Sequence, residues 1–504
     1  MLSLADPTSF QELDLIDKIQ RLGVAYHFED EIEYVIQQAY NDDDYTHFMD
    51  QNVHSDKHAD LCYVSLRFRL LRQAGYYVST DVFKKFKDEK GEFHAKLASD
   101  VQGMLSLYEA SYLGFSGEDI MDEAMVFTTK HLDSLLTSCS SYSLVLQAKH
   151  ALAMPIQGSV ARSYARHYIS IYQQDISRNE TLHEFAKLDY NAVQFLHRKE
   201  INEVQIWWKR MNIKSKLQFD FRDRVVEAYA ITNSINFEPQ FSQERIYLAK
   251  IWTILSIVDD AFDLSGNLDE VSQLCDAFQR WDAQSTSNLS AQMKVIFLET
   301  LNLFNEFEKR GNSVGASYFR HVMQLHIKIL WEEIKVIFSG DVPTFEKWLS
   351  VSTISGGHNV FLIAQTMNMG EVATKKVIDW TAGHCMPKIM KYSNTINRIV
   401  GDIASIKLDQ ARGTDAQCVS CYMMDYGVSE SEAIESLQKI VIRLQKVLNE
   451  EGLRVHPVPM RIIKNILHFN RSIDLYYKGV DGHSVSDGRT KQIITSLFID
   501  PIPV

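Results

Sequence analysis

The sequence predicts an all-α protein, and three observations carry that expectation. Apolar residues recur at helical intervals along almost the whole chain. Glycine and proline are scarce, 22 and 9 in 504 residues, too few for a turn-rich β architecture. No apolar–polar alternation runs beyond a few residues, so no strand is expected. At this length one core does not suffice, and two helical domains are expected.

Taken in order, Leu15, Ile19 and Leu22 share one helical face, and Gly23 fits a C-cap. The run A-D-L-C-Y-V-S-L-R-F-R-L-L-R-Q-A-G predicts a helix that stops at Gly75. Further helices are expected over 106–114, 118–132 and 183–200. The polar stretch from Asn41 to Asp60 reads as a surface loop. No Gly/Ser/Pro linker marks a boundary. We place it after residue 190, giving domains 1–190 and 191–504, because every cluster that carries chemistry lies beyond it.

The net charge of −13 argues against a nucleic-acid partner and offers no polybasic membrane patch. An anionic substrate must therefore be held by local arginines and metal ions. Six cysteines in 504 residues make no disulfide framework. Cys418 and Cys421 form a C-x-x-C, but no second pair follows, and helical coincidence explains the spacing. No apolar run reaches the ~18 residues of a membrane span. The start, M-L-S-L-A-D-P, lacks the basic region and apolar stretch of a leader, so a cytoplasmic protein is expected.

The chemistry begins at Asp259, Asp260 and Asp263, in S-I-V-D-D-A-F-D, directly after an apolar helical run. Charge at the end of an apolar wall is costly unless something compensates it. Asp259 and Asp263 are four apart and share a face. Two hard oxygen ligands there suit magnesium that also holds a phosphate. Arg222 and Arg224, in R-D-R, lie one helix hairpin upstream and offer rigid forks for a diphosphate. Downstream, Ser405 and Asp409 share a stripe with Gly401. Asp402 lies near that face, and Arg398, one turn before it, can reach a bound phosphate. Two acidic helices with arginines above them describe a clamp that ionises an allylic diphosphate. The cation left behind needs apolar and aromatic walls.

These strings, with L-I-D-K-I-Q-R-L-G-V-A-Y-H-F-E-D-E-I, F-E-P-Q-F-S, C-Y-M-M-D-Y-G-V-S-E-S-E-A and the ending L-F-I-D-P-I-P-V, make the chain resemble the class I terpene synthases of plants. Sesquiterpene synthases are the nearest kind, and the resemblance covers essentially all residues. It implies a C-terminal catalytic helical bundle after an inert, α-barrel-like N-terminal helical domain. It implies three magnesium ions, with manganese as a substitute, and a monomer acting on a prenyl diphosphate. It carries Asp259, Asp260 and Asp263 into the first metal motif, with Asp259 and Asp263 as direct ligands. Ser405 and Asp409 fall in the second, where Gly401 replaces the usual Asn or Asp and Asp409 the usual Glu. Water in the space Gly401 leaves, or the neighbouring carboxylate of Asp402 turning inward, can stand in for the missing ligand. Arg222 and Arg224 match the arginines that guide released diphosphate, Arg398 a second diphosphate-binding arginine, and Tyr477 an aromatic wall residue. Ile231 and His483 stand where the family has aromatics, and the family's N-terminal extension has no counterpart. The string N-D-D-D at 41–44 begins with Asn in an expected loop, so protonation-initiated chemistry is not expected of the first domain.

The expected activity is conversion of farnesyl diphosphate to a sesquiterpene with release of diphosphate. A geranyl diphosphate-dependent monoterpene synthase and a catalytically silent relative are the alternatives. A chain-elongating prenyl synthase would carry a second D-D-x-x-D, which this chain lacks. His358, in S-G-G-H-N, follows paired glycines expected to break a helix at the pocket floor.

Overall fold

The computed structural model describes residues 8–42, 61–135, 139, 141–156, 158–217, 219, 221–264, 267–309, 313–383, 386–412, 417–485 and 487–504. Most of the stretch read as a loop, 41–60, lies outside the described residues, as does the N-D-D-D string beyond Asp42. Among the described residues every named element is a helix, and the only extended pairing is one bridge, Lys87 to Phe93. None of these helices is long and apolar enough to cross a membrane.

The chain forms two compact units. The first holds residues 1–194 together with 449–455 and 500–504. The boundary thus falls inside a continuous helix, which explains why no linker composition marks it. The first unit contains α1 (Phe10–Arg21), α2 (Glu29–Asn41), α3 (Leu61–Ala74), α4 (Val101–Ser111), α5 (Asp119–Leu135), α6 (Tyr142–Ala153), α7 (Ala161–Tyr172) and the start of α8 (Glu180–Met211). Gly23 and Gly75 both adopt positive φ just beyond α1 and α3, as the cap reading requires. Helix α4 begins earlier than its apolar run because the Asp100 side chain accepts from the Gly103 amide at 2.9 Å. The C-terminal residues 500–504 are strapped to this unit. Arg166 and Gln194 donate to the Asp500 carbonyl at 2.6 and 3.0 Å, and Asn191 pairs with the Ile502 backbone in both directions.

Inside the first unit lies a buried charge cluster. Arg21 Nε donates to Asp17 at 2.7 Å, and its fork meets Glu109 and the Tyr164 hydroxyl. Arg69 meets Asp17 at 2.5 Å and approaches Glu109 at 3.6 Å. Two arginines answer two carboxylates, so the cluster is neutral, as burial demands. It ties together α1, α3, α4 and α7.

The second unit holds the remainder of α8, then α9 (Val225–Ile235), α10 (Ser242–Leu264), α11 (Leu268–Arg280), α12 (Ala291–Glu308), α13 (Ser313–Ser339), α14 (Phe345–Ser355), α15 (His358–Met367), α16 (Lys375–Ala382), α17 (Lys388–Arg412), α18 (Cys418–Tyr426), most of α19 (Glu430–Leu453), α20 (Met460–Tyr477) and α21 (Arg489–Phe498). Helices α9, α13 and α15 pack on α10, and α14 and α20 pack on α17. Gly356 and Gly357 separate α14 from α15. Gly357 has φ +74°, a conformation side-chain-bearing residues rarely adopt, while a Cβ there would stand at ordinary contact distance from Leu255 and His326.

Candidate active site

Helix α10 aims the acidic residues. Its buried side carries Ile246, Tyr247, Ile254, Val258 and Phe262, which fixes the rotation of the helix. Asp259 and Asp263 then fall on an open face with Trp252 and Ser256, while Asp260 turns into the protein. Asp259 and Asp263 are reached by solvent yet flanked by other carboxylates. Burial by surrounding protein, then repulsion from Asp260 and Glu333, raises Asp259 to about 7. The same causes, with Asp259 the closest repulsive charge, push Asp263 well above the ordinary carboxylate range. This cluster holds more negative charge than its arginines answer.

Two carboxylates grouped with the metal ligands from sequence are committed to protein partners. Asp260 is buried and takes both prongs of Arg224, at 2.5 and 3.3 Å. Asp402 is buried and accepts from Trp348 Nε1 at 3.2 Å, the Cys418 amide at 2.9 Å and Arg398 at 3.3 Å. Its oxygens serve Arg398 and the start of α18, and it does not turn inward for Gly401. Cys418 thereby gains a local role that the C-x-x-C pattern did not foretell.

The arginines lie beside these carboxylates. Arg222 donates to Glu227 at 2.7 Å and to the His483 carbonyl, and Arg224 Nε donates to that carbonyl at 3.3 Å. Asp223, between them, caps α9 through the Val225 amide and holds Trp208 Nε1 at 3.0 Å. Arg398 donates to the Ser352 carbonyl at 2.9 Å and Ser355 Oγ at 2.8 Å, and lies 3.4 Å from Glu333. Its charge reaches Asp259, Asp263 and Tyr477. Tyr477 is half-buried, and burial, then Asp481, keeps its hydroxyl protonated. Its ring faces Gly401, 3.8 Å from where a Cβ would stand. Ser405 and Asp409 continue the α17 stripe, half-buried, with Asp409 accepting from Gln417. Asp409 stands seven residues past Asp402, about 10 Å along the helix.

Sequence reasoning missed Glu333. Its string, W-E-E-I-K, looks like a solvated helix face, yet Glu333 is buried with Oε2 lacking a hydrogen-bond partner. Sequence reasoning also missed Trp252, although a place seven residues before Asp259 puts it on the same face.

Among the described residues no three His, Cys, Asp or Glu close on a point to form a ready-made metal site. The donor set still fits a divalent cation. Magnesium commonly takes one or two carboxylates and completes its shell with water and substrate phosphate. A pair of crowded carboxylates with raised proton affinity has the matching charge deficit.

An all-α fold with a crowded carboxylate pair beside arginines is what the structure defines. Comparison with known proteins gives the family. Residues 209–447 match the "Terpene synthase family, metal binding domain" and residues 1–152 the "Terpene synthase, N-terminal domain". Sesquiterpene synthase 2 of Toona sinensis is 41% identical, covering 99% of this chain and 89% of that protein. The (-)-germacrene D synthase of Vitis vinifera is 41% identical over 100% and 89%. Isoprene synthase from grey poplar leaves, solved with three Mg2+ ions and dimethylallyl-S-thiolodiphosphate, superposes with a TM-score of 0.89 at 31% identity, covering 98% of this chain and 93% of that one. Limonene synthase with 2-fluorolinalyl diphosphate gives 0.91 at 28%, over 98% and 91%. The chain belongs to the terpene synthase family: a lyase that acts on prenyl diphosphates and uses a divalent metal.

Proposed function

We propose that this chain ionises farnesyl diphosphate with magnesium and cyclises or rearranges the product cation to a sesquiterpene, releasing diphosphate. The observation that carries this reading is the pair Asp259 and Asp263 on the open face of α10, crowded by Asp260 and Glu333 and about two to three turns above the half-buried Trp252 ring. The sesquiterpene synthases among the relatives support the choice of substrate.

Asp259 and Asp263 would hold magnesium on one wall, with Glu333 behind them, and Ser405 and Asp409 on the other. Bound there, magnesium neutralises the charge that develops on the leaving diphosphate. Arg222 and Arg398 bind the diphosphate oxygens and keep the released anion away from the cation. Asp260 and Asp402 are positioning residues that fix Arg224 and Arg398. Trp252, Phe469 and Tyr477 exclude water and offer π faces to the cation. The test is incubation with dimethylallyl, geranyl and farnesyl diphosphates and magnesium, followed by gas chromatography. A sesquiterpene from farnesyl diphosphate is expected; a folded preparation that yields no terpene from any of them refutes the reading.

A further inference from the structure

The aromatic cluster below the carboxylates includes an imidazole. Trp252 lies about 10 Å down α10 from Asp259 on the same face. His358, the first residue of α15, lies nearly parallel to the Trp252 ring, with centroids 6.2 Å apart and planes at 13°. Phe469 meets the imidazole edge-on at 4.8 Å, and Phe361 packs against both Trp252 and Phe469. The imidazole also rests on Gly356, where a Cβ would stand 3.2 Å from its Cε1. The residue is half-buried, and its Nδ1 is enclosed with no hydrogen-bond partner.

Buried imidazole nitrogens are ordinarily hydrogen-bonded, as His197 is to the Phe237 carbonyl and His468 to the Ile235 carbonyl. His150 and His483 also keep one unpartnered, and His358 differs from them by its place among the rings below Asp259. Among the described residues nothing hydrogen-bonds His358. Burial, then the charge of Arg398, holds the ring neutral, lowered to about 3. The result is a neutral base set among aromatic rings, away from the diphosphate rim.

We propose that His358 is the base that ends the reaction, taking the proton whose loss turns the last carbocation into an olefin. The inference rests on the function proposed above. A C–H bond next to the cationic carbon breaks, and its electron pair becomes the new C=C bond. The proton goes to the lone pair of Nε2, on the open side of the half-buried ring. The parallel Trp252 face steadies the imidazolium while it exists. Because burial and Arg398 disfavour that charge, the imidazolium gives its proton to water when the product leaves, and the neutral base is restored.

The other imidazoles suit this role less. His326 is fully buried behind Gly357. His483 stands at the rim, where its carbonyl takes both Arg222 and Arg224 and its Nε2 lies 3.5 Å from Ser256 Oγ.

Two variants test the proposal. His358→Phe keeps a ring and removes the base. Gly356→Ala keeps the base and displaces it, at a residue whose φ of −63° alanine adopts freely. Each is compared with the unaltered protein on farnesyl diphosphate and magnesium, measuring diphosphate release and the hydrocarbon profile, with circular dichroism to confirm folding. In both variants the main hydrocarbon is expected to fall about tenfold further than diphosphate release does, with earlier olefins or an alcohol in its place. An unchanged profile, or hydrocarbon and diphosphate falling by one factor, overturns the assignment to His358 and leaves the functional reading standing. Unaltered protein that releases no diphosphate overturns both.

Discussion

The two units each bury a group of charged side chains, and they treat it in opposite ways. In the first unit Asp17 and Glu109 are answered by Arg21 and Arg69, and the Tyr164 hydroxyl completes the ring of partners. In the second, Asp259, Asp263 and Glu333 crowd together while Arg224 is committed to Asp260, and Arg398 is shared between Asp402 and Glu333. A neutral cluster gains nothing from a cation and serves to lock helices together. A cluster left negative stores repulsion that a metal relieves. The balance of charge, more than the burial of charge, separates the structural site from the functional one.

That contrast breaks most sharply at Arg21. Changing Arg21→Met leaves two buried carboxylates half-answered, and a loss of about 3–5 kcal/mol is expected in urea unfolding. Asp263→Asn is the mirror case. Catalytic efficiency on farnesyl diphosphate is expected to fall about a hundred- to a thousandfold, ~3–4 kcal/mol, by steady-state kinetics. At a pH high enough to ionise Asp263 in the folded chain, the metal-free variant should also melt higher than the unaltered protein, since one repulsive charge is gone.

Magnesium itself sharpens the comparison. At a hundredfold excess over its dissociation constant it should stabilise the protein by about 2.7 kcal/mol, read by thermal melting. The sign with pH follows from Asp259, whose proton affinity is raised from the ordinary 3.8 to about 7 in the folded chain. Between those values the unfolded chain has released a proton that the folded chain keeps. This group's contribution to metal-free stability therefore declines as pH rises from about 4 through 7. The gain from magnesium is expected to be larger at pH 8 than at pH 6, because the ligands must be deprotonated. A gain equal at both, or larger at pH 6, contradicts the charge-deficit account.

Smaller effects probe the supports. Asp402→Asn removes the charge that holds Arg398 and should lower catalytic efficiency about ten- to a hundredfold. Because it breaks a buried ion pair it should also lower the melting midpoint of the metal-free protein, by less than Arg21→Met does. Gly401→Asn adds an oxygen where Tyr477 leaves ordinary contact distance for the Cβ. A rise in turnover or magnesium affinity of about threefold, under 1 kcal/mol, is expected if water now fills that place. No change in either counts against water there.

Much of this was legible from local pattern. Helical period gave the fold class, since burying one face of a helix needs only residues a few positions apart. The same spacing put Asp259 and Asp263 on one face of α10. It could not separate Asp259 from Asp260, because adjacent residues differ only in which neighbours they meet. Only the packing of α9 against α10 hands Asp260 to Arg224, and only α18 hands the Cys418 amide to Asp402. Glu333 joins the acidic cluster from a helix more than 70 residues on in the chain, with no local signal. His358 stood beside its two glycines in the sequence, but its unpartnered nitrogen among aromatic rings exists only once α10, α15 and α20 have come together. Sequence alone determined which side chains share a helical face, because that period is set by the nearest neighbours. Tertiary structure decided which charges are answered, because Coulomb interaction and desolvation depend on distance in space, whatever the separation along the chain.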